Sequence, residues 1–393
     1  MERLRIALQV EKNRAHGRAL LTGIADYALE RTDWRLELVD PERLARQAYL
    51  AQFDGLIVRV MDDRTAAVLV ASGKPVVDTY GRTDRNPLAS IRLDDAVLAK
   101  MAYDCLSEHH YRSFAYCGFD GLRFSEARGE AFCRNVEGRG AACAVFHAPE
   151  RRRIGDTFFR DEKTDVPDVQ ALRTWLRSLP RQTAVFCCND LRAVQVLKVC
   201  ADCGLEVPTE LAVLGVDNDV LLCTFANPSL SSIETDPFAL GRLAAQMLDS
   251  QLKGRGKGLR RSSAHVRPVL HRPKRVVERM STDAYAFRTP WLAEAVRYIR
   301  RHVAEGVTAD DVVRRIGYSH PKVNQVFVEE LGHAVKKEIL HQRSRLACGM
   351  LRDTTLSAGE IALRCGYQSP QYFSRSFAEE FGMTPETWRR QRD

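Results

Sequence analysis

The residues best suited to binding chemistry come directly after short apolar runs in the first 280 positions. Carboxylates, amides and arginines can form forked hydrogen bonds with neighbouring hydroxyl groups, and an aromatic side chain offers a flat face to a sugar ring. A polyol pocket needs this mixture, because each unmatched buried polar group costs about 1–3 kcal/mol. The candidate ligand-binding residues are Asn13, His16, Arg18, Phe124, Arg128, Asp190, Asp217 and Asn218.

Two of these candidates have a second interpretation. Asp190 and Asp217 precede segments with apolar residues at helical spacing, and Asp is a common N-cap residue. The residue types alone do not decide between helix capping and ligand binding. At this point the sequence predicts a hydroxyl-binding pocket and leaves the role of these two carboxylates open.

The sequence lacks the motifs of common catalytic sites. It contains no G-x-S-x-G, H-E-x-x-H or G-x-x-x-x-G-K-[ST] motif. The eleven cysteines are scattered, and Cys200 and Cys203 form a single C-x-x-C pair without the second pair of a zinc site. We therefore predict no catalytic residue, no metal site and no cofactor. A sugar-modifying enzyme is the remote alternative, and it would leave the repeat described next unexplained.

The last 110 residues contain an internal repeat. Residues 312–332 match residues 361–382, and Gly317 aligns with Gly366. Each copy has a short helical segment, a glycine turn and a second helical segment that ends in acidic residues and glycine. This order is typical of a helix-turn-helix motif, in which the turn glycine adopts a positive φ. The predicted motifs span about 308–332 and 357–382.

The second helix of each copy is expected to enter a major groove with its N-terminal residues nearest the bases. Asn and Gln suit adenine, and Arg suits guanine. A linking helix over 334–351 would hold the two recognition helices about 34 Å apart on one side of the duplex. Among the apolar positions, Val323, Phe327, Tyr372 and Phe377 are expected to face a small core. The candidate DNA-binding residues are His320, Lys322, Asn324, Gln325, Gln371, Ser374 and Arg375.

The elements that must position these residues differ between the two parts of the chain. Short apolar runs alternate with helical segments over the first 280 residues, which predicts α/β architecture with parallel sheets. Ligands of such sheets bind at the carboxyl ends of the strands. Helical periodicity alone continues from Trp291 onward. We predict a two-lobed sensing domain over 1–280 and an all-α domain over 281–393.

Composition agrees with this division. The chain has 393 residues, of which 45% are hydrophobic and 28% charged, enough for two or three domains with sizeable cores. The formal net charge is +8, and residues 253–279 carry ten Lys and Arg against one acidic residue. This asymmetry places any polyanionic partner on the C-terminal part, although a solvated basic loop would give the same count.

The sequence carries neither a membrane-spanning pattern nor an export signal. No window holds 18 uninterrupted apolar residues, and the first residues are typical of a β-strand and not of a signal peptide. Scattered, odd-numbered cysteines are typical of a reduced compartment. We therefore expect a cytoplasmic protein without membrane contact, which joins the nucleoid when it binds DNA.

The second repeat resembles the signature of the AraC/XylS class of transcription regulators. Residues 361–389 nearly spell out that signature and close it with Thr384-Pro385 and Trp388-Arg389. The first part is similar to the sugar-sensing domain of LacI/GalR regulators and periplasmic sugar-binding proteins. The segments that carry this second resemblance are 189–193, 204–208, 215–218, 228–233 and 241–245.

Together the two resemblances imply a sugar-responsive transcription regulator whose two lobes close on an effector. They place Asp190, Asp217, Arg128 and residues 13–18 against ligand hydroxyls. They also imply a homodimer, operator DNA as a partner and RNA polymerase as a further candidate partner. The expected function is activation of pentose-utilisation genes with D-xylose as effector. Another pentose or hexose as effector, or repression instead of activation, remains an alternative.

Overall fold

The structure is a computed structural model, and it describes residues 3–30, 33–81, 88–148, 168–255, 267–283, 287 and 289–390. The chain divides into two compact units, Met1–Ala284 and Tyr285–Asp393. Part of the basic tract at 253–279 lies outside the described residues. Each unit is considered by itself below.

The first unit contains two six-stranded sheets, one in each of two lobes. The sheet of lobe 1 has the order β11-β5-β4-β3-β1-β2, and all its neighbouring strands pair in parallel. The central strand β3 is buried along its whole length, as in sheets covered on both faces. The strands of lobe 1 are β1 (Leu4–Gln9), β2 (Trp34–Leu38), β3 (Gly55–Val58), β4 (Val76–Asp78), β5 (Ala89–Leu93) and β11 (Val269–His271).

The sheet of lobe 2 has the order β12-β10-β9-β8-β6-β7. Its strands pair in parallel except for the edge strand β12, which runs antiparallel to β10. Strands β8 and β9 are buried at every position. The strands of lobe 2 are β6 (Ser113–Cys117), β7 (Cys143–Phe146), β8 (Thr183–Cys187), β9 (Leu211–Val216), β10 (Ser231–Glu234) and β12 (Arg275–Val277).

Ten described helices connect these strands. The pair α1 and α10 packs closely in lobe 1, whereas α5 and α6 pack together in lobe 2. The helices are α1 (Ala15–Leu29), α2 (Pro41–Leu44), α3 (Gln47–Leu50), α4 (Asp63–Ala71), α5 (Asp95–Glu108), α6 (Arg123–Glu137), α7 (Val169–Ser178), α8 (Asp190–Cys203), α9 (Val220–Phe225) and α10 (Pro237–Arg255).

The chain passes between the lobes at three described places. These are residue 94, residues 235–236 and residues 272–274. The sequence indicated a first crossing near 105–120, which is wrong, because the whole of α5 already packs against lobe 2. The predicted α/β fold with parallel sheets in two lobes is confirmed.

The second unit is helical in its described residues, as predicted. Its helices are α11 (Pro290–His302), α12 (Ala309–Ile316), α13 (His320–Leu331), α14 (Val335–Asp353), α15 (Ala358–Arg364), α16 (Pro370–Phe381) and α17 (Pro385–Arg390). The described residues also contain two short 3₁₀ segments, Met280–Thr282 in the first unit and Val303–Glu305 in the second. Ser281 and Thr282 are buried in the first unit, where the Ser281 hydroxyl donates to the carbonyl of Val213.

Two separate apolar cores lie in the second unit, one for each repeat. Helix α14 contributes Val335 and Ile339 to the first core and Ala347 and Leu351 to the second. Its opposite ends therefore hold the two repeats at a fixed separation. Among the described helices, none is both long and apolar enough to cross a lipid bilayer.

Candidate effector pocket and nucleic-acid interface

A cavity of about 340 Å³ lies in the first unit between residues of the two lobes. Its volume is in the range of small-molecule sites. The lining side chains come from the loop after β1, the first turns of α1, α6 and α8, and the loop after β9, which are the carboxyl-terminal ends of strands in both sheets. Seven of the eight predicted ligand-binding residues line it: Asn13, His16, Arg18, Phe124, Arg128, Asp190 and Asp217.

His16 and Asp217 connect the two lobes across this cavity. The Nδ1 atom of His16 lies 3.4 Å from Oδ1 of Asp217. Burial raises the pKa of Asp217, but the contact with His16 and the charges of Arg128 and Arg14 lower it more, so the pKa lies below its ordinary value. Asp217 therefore stays ionised as an acceptor at the lobe boundary.

Arg128 is fixed by a carboxylate, a carbonyl and an aromatic ring. Its Nε atom donates to Oδ1 of Asp95 at 3.0 Å, and Nη1 donates to the carbonyl of Cys188. Its guanidinium carbon lies 5.0 Å from the centre of the Phe124 ring. Because Arg128 is only 4% exposed, these contacts hold a desolvated cation at the cavity wall.

Asp190 is buried and holds the turn that carries Asp217. Its Oδ1 accepts from the Ser232 hydroxyl at 2.5 Å, and its Oδ2 accepts from the backbone N–H of Asp219 at 2.7 Å. Burial, followed by the nearby charge of Asp217, raises the pKa of Asp190 well above its ordinary value. Asp190 thus positions one wall of the cavity as well as lining it.

Residues close to the two carboxylates, and not the carboxylates themselves, cap the helices. Asn189 caps α8, because its side-chain oxygen accepts from the N–H of Arg192. Asp219 caps α9 in the same way. Asp190 and Asp217 are therefore not the N-caps of these helices.

Asn218 differs from the expectation that it lines a ligand pocket, whereas Arg18 lines the cavity from an exposed position. Asn218 is not among the lining residues; its backbone N–H donates to Ser232 and its side-chain oxygen accepts from Arg279 at 2.8 Å. Arg18 is exposed, and its Nη1 donates to the carbonyl of Asn13 at 2.8 Å. Both residues shape the loops around the cavity.

Further lining residues were not among the sequence candidates, and Arg59, Tyr80 and Asp95 are three of them. Nη1 of Arg59 lies 2.6 Å from Oε1 of Glu11, and its guanidinium stacks over the Tyr80 ring at 4.9 Å. Arg59 and Tyr80 follow β3 and β4, so inspection of every strand end would have found them. Asp95 likewise lies two residues after β5, at the start of α5, so the same inspection would have found it.

The second unit contains two helix-turn-helix motifs at the repeated positions. The first comprises α12 and α13 around Gly317, and the second comprises α15 and α16 with Gly366 in the turn. Both glycines adopt a positive φ, 78° and 75°. Thr308 and Ser357 begin the two motifs with capping boxes, so each first helix starts at a position set by the sequence.

The predicted base-contacting residues lie mainly on the exposed sides of α13 and α16. Arg375, Gln325 and His320 each contact an acidic side chain. In the first of these contacts, Nε of Arg375 lies 3.0 Å from Oε1 of Glu379. Asn324 is half-buried and accepts from the N–H of Val335 at the start of α14. Exposed members of the predicted set are His320, Lys322, Gln325, Gln371 and Arg375, whereas Asn324 and Ser374 are half-buried.

The core of the repeats departs from expectation at one residue. Val323, Phe327 and Phe377 are buried as predicted. Tyr372 is 41% exposed, so its predicted place in the core is wrong. Tyr372 lies in the first turn of α16, and its ring faces outward. The centre of this ring is 6.1 Å from the centre of the buried Tyr367 ring.

Comparison with known proteins identifies both parts of the chain. Residues 103–282 match the periplasmic binding protein-like domain, and residues 312–391 match a helix-turn-helix domain. The chain is thus a DNA-binding transcription regulator with a periplasmic-binding-protein-like sensor, and it is not an enzyme.

Homologues with this arrangement extend over the whole chain. The xylose operon regulatory protein of Escherichia coli K12 is 29% identical over 99% of this chain and 97% of its own length. The protein of the same name from Haemophilus influenzae is 28% identical over 98% of both chains. The solved structure of the xylose-binding transcription activator xylR is 28% identical over 99% of this chain and 98% of its own, with a TM-score of 0.60.

Proposed function

We propose that this protein is a D-xylose-responsive activator of pentose-utilisation genes, with 1–280 as the sensing domain and 281–393 as the DNA-binding domain. The observation that carries the proposal is a polar cavity between two lobes in a chain that also holds two helix-turn-helix motifs. The names of the full-length relatives supply the sugar and the direction of control.

The chemistry of the cavity supports a polyhydroxylated ligand. Asp217 offers an ionised acceptor, Arg128 a fixed cation, and Phe124 an aromatic face. Oε2 of Glu11 is buried and has no hydrogen-bond partner among the described residues. A ligand hydroxyl at this oxygen would remove the cost of an unsatisfied buried acceptor, about 1–3 kcal/mol.

Calorimetric titration with D-xylose, followed by a panel of pentoses and hexoses, tests the effector. We expect stoichiometric heat with D-xylose and little or none with the other sugars. Heat with a different sugar alone would support a sugar-responsive regulator, but one that serves another pathway. Absence of heat with every sugar would refute the proposed pocket.

The mode of action follows from two states with different sugar affinities. A sugar that contacts residues of both lobes stabilises their closed arrangement, and it shifts the population only as far as its affinity differs between the states. We further propose a cytoplasmic homodimer that binds operator DNA and contacts RNA polymerase. A reporter strain with and without D-xylose separates activation from repression.

We assign base contacts to the exposed polar face of the two recognition helices. Arg375→Ala should weaken operator binding by about 1–3 kcal/mol and relax one base preference, because Arg contacts to guanine are bidentate. Gel-shift titration with operator variants measures both effects. Arg364→Ala, at an exposed site on the first helix of the same motif, is the matched control. Unchanged operator affinity for Arg375→Ala would reject the assignment.

A further inference from the structure

Two histidines and two carboxylates meet where the shared helix α14 contacts the ends of both recognition helices. His333 follows the last residue of α13 by two positions, and Glu338 and His341 lie on α14. Ligand atoms of these three residues all lie within 4.8 Å of one another. Oε1 of Glu380, near the end of α16, lies 3.8 Å from Nε2 of His341.

Three of these residues are close enough to share one metal ion, and Glu380 lies beside them. Bonds of about 2.0–2.2 Å to imidazole nitrogen and carboxylate oxygen place neighbouring ligand atoms of a tetrahedron about 3.4 Å apart. The Nε2 atom of His333 lies 3.4 Å from Oε2 of Glu338. Oε1 of Glu380 lies 3.8 Å from His341 but outside the group of three whose ligand atoms are all within 4.8 Å of one another, so its side chain would have to rotate toward them to become the fourth ligand.

Neighbouring groups orient the ligand atoms toward a common point. Nδ1 of His333 faces the carbonyl of Ala334 at 3.4 Å, which favours the proton on Nδ1 and a lone pair on Nε2. With this tautomer the lone pair faces Oε2 of Glu338, and a metal ion between the two atoms would bind both. Gln342 donates to Oε1 of Glu338 at 2.7 Å and leaves Oε2 toward the histidine.

The charge of the cluster also suits a divalent cation. Glu338 is a carboxylate with only 7% of its side chain exposed. Two carboxylates balance a 2+ charge, whereas the nearby Lys337 and Arg345 oppose it.

We propose that His333, Glu338, His341 and Glu380 bind one divalent transition-metal ion of the Zn²⁺ type. Imidazole with carboxylate is a ligand set that suits Zn²⁺, and the second unit supplies all four side chains. The ion joins the end of the first recognition helix, the shared helix and the end of the second recognition helix.

Cobalt substitution in the full-length, untagged protein tests this site. After treatment with a chelator and buffer exchange, Co²⁺ is added while visible absorption is recorded. We expect a tetrahedral Co²⁺ band that saturates at one equivalent per chain and disappears when Zn²⁺ is added. Absence of a saturable band overturns the proposal.

Variants of the more exposed ligands locate the metal. His341→Gln should abolish the band, and Glu380→Gln should weaken Co²⁺ binding at least tenfold. His302→Gln is the control, because this half-exposed histidine pairs with Glu305 elsewhere in the unit. Circular dichroism and operator binding check that each variant is folded. A band of parental strength in His341→Gln would also overturn the proposal.

Discussion

At the scale of single residues, the cavity depends on carboxylates in different environments. Asp217 is ionised and touches His16 of the other lobe, whereas Asp190 is enclosed and holds the backbone that carries Asp217. The two therefore contribute differently, although they are the same residue type at the start of α8 and at the end of the following strand β9.

Asp217→Asn should weaken sugar binding about 10- to 100-fold. The change removes the charge that pairs with His16 across the lobes and the charged acceptor for a ligand hydroxyl, and hydrogen bonds to charged groups are worth about 1.5–3 kcal/mol. Calorimetry measures the affinity. Asn218→Asp is the matched control, because it lies outside the lining and keeps the acceptor for Arg279. Equal affinity of Asp217→Asn and the parent would remove Asp217 from the site.

Residue types and strand ends predicted where the cavity lies and seven of its lining residues, but not the role of each residue. Seven candidates line it because the carboxyl ends of parallel strands meet at the same edge of a sheet. Asn218 differs because the backbone direction after β9 is set by contacts with Ser232 and Arg279 from distant positions. The cluster around His341 had no sequence signal, since Glu380 approaches it only through the packing of α16 on α14.

At the scale of elements, the two motif turns are similar in sequence but differ in their surroundings. A Cβ atom on Gly317 would meet nothing within 4 Å, whereas one on Gly366 would lie 2.3 Å from the carbonyl oxygen of Val303. The second turn is therefore packed against the backbone of the 3₁₀ segment that joins α11 to the first motif. Capping and turn residues predicted both motifs, but only the folded contacts reveal this asymmetry.

Gly366→Ala should destabilise the second unit more than Gly317→Ala. Both changes place a Cβ on a left-handed residue at a cost of about 1–2 kcal/mol. Only the alanine at 366 also collides with a backbone carbonyl, and such overpacking costs about 1–3 kcal/mol more. Urea denaturation of the two variants measures the difference in the free energy of unfolding. Equal losses would show that the contact with Val303 is unimportant.

At the scale of the whole molecule, the two units have separate apolar cores. Calorimetric unfolding should therefore give two transitions, and the effector should raise only the midpoint temperature of the first unit's transition. A ligand at 100 times its Kd stabilises its domain by about 2.7 kcal/mol. Operator DNA provides the matched experiment, since it should raise only the transition of the second unit. One transition shifted by both ligands would contradict this independence.

The shared helix α14 constrains how operators for this protein can diverge. Each residue of an α-helix turns the chain by about 100° and advances it by about 1.5 Å. One inserted residue between Ile339 and Ala347 would thus rotate one recognition helix out of phase with the other. A base change within one half of an operator can be accommodated by substitution of a single side chain in the protein. A changed spacing between the halves cannot be accommodated in this way. The length of α14 therefore sets the spacing between the two halves of every site that the protein recognises.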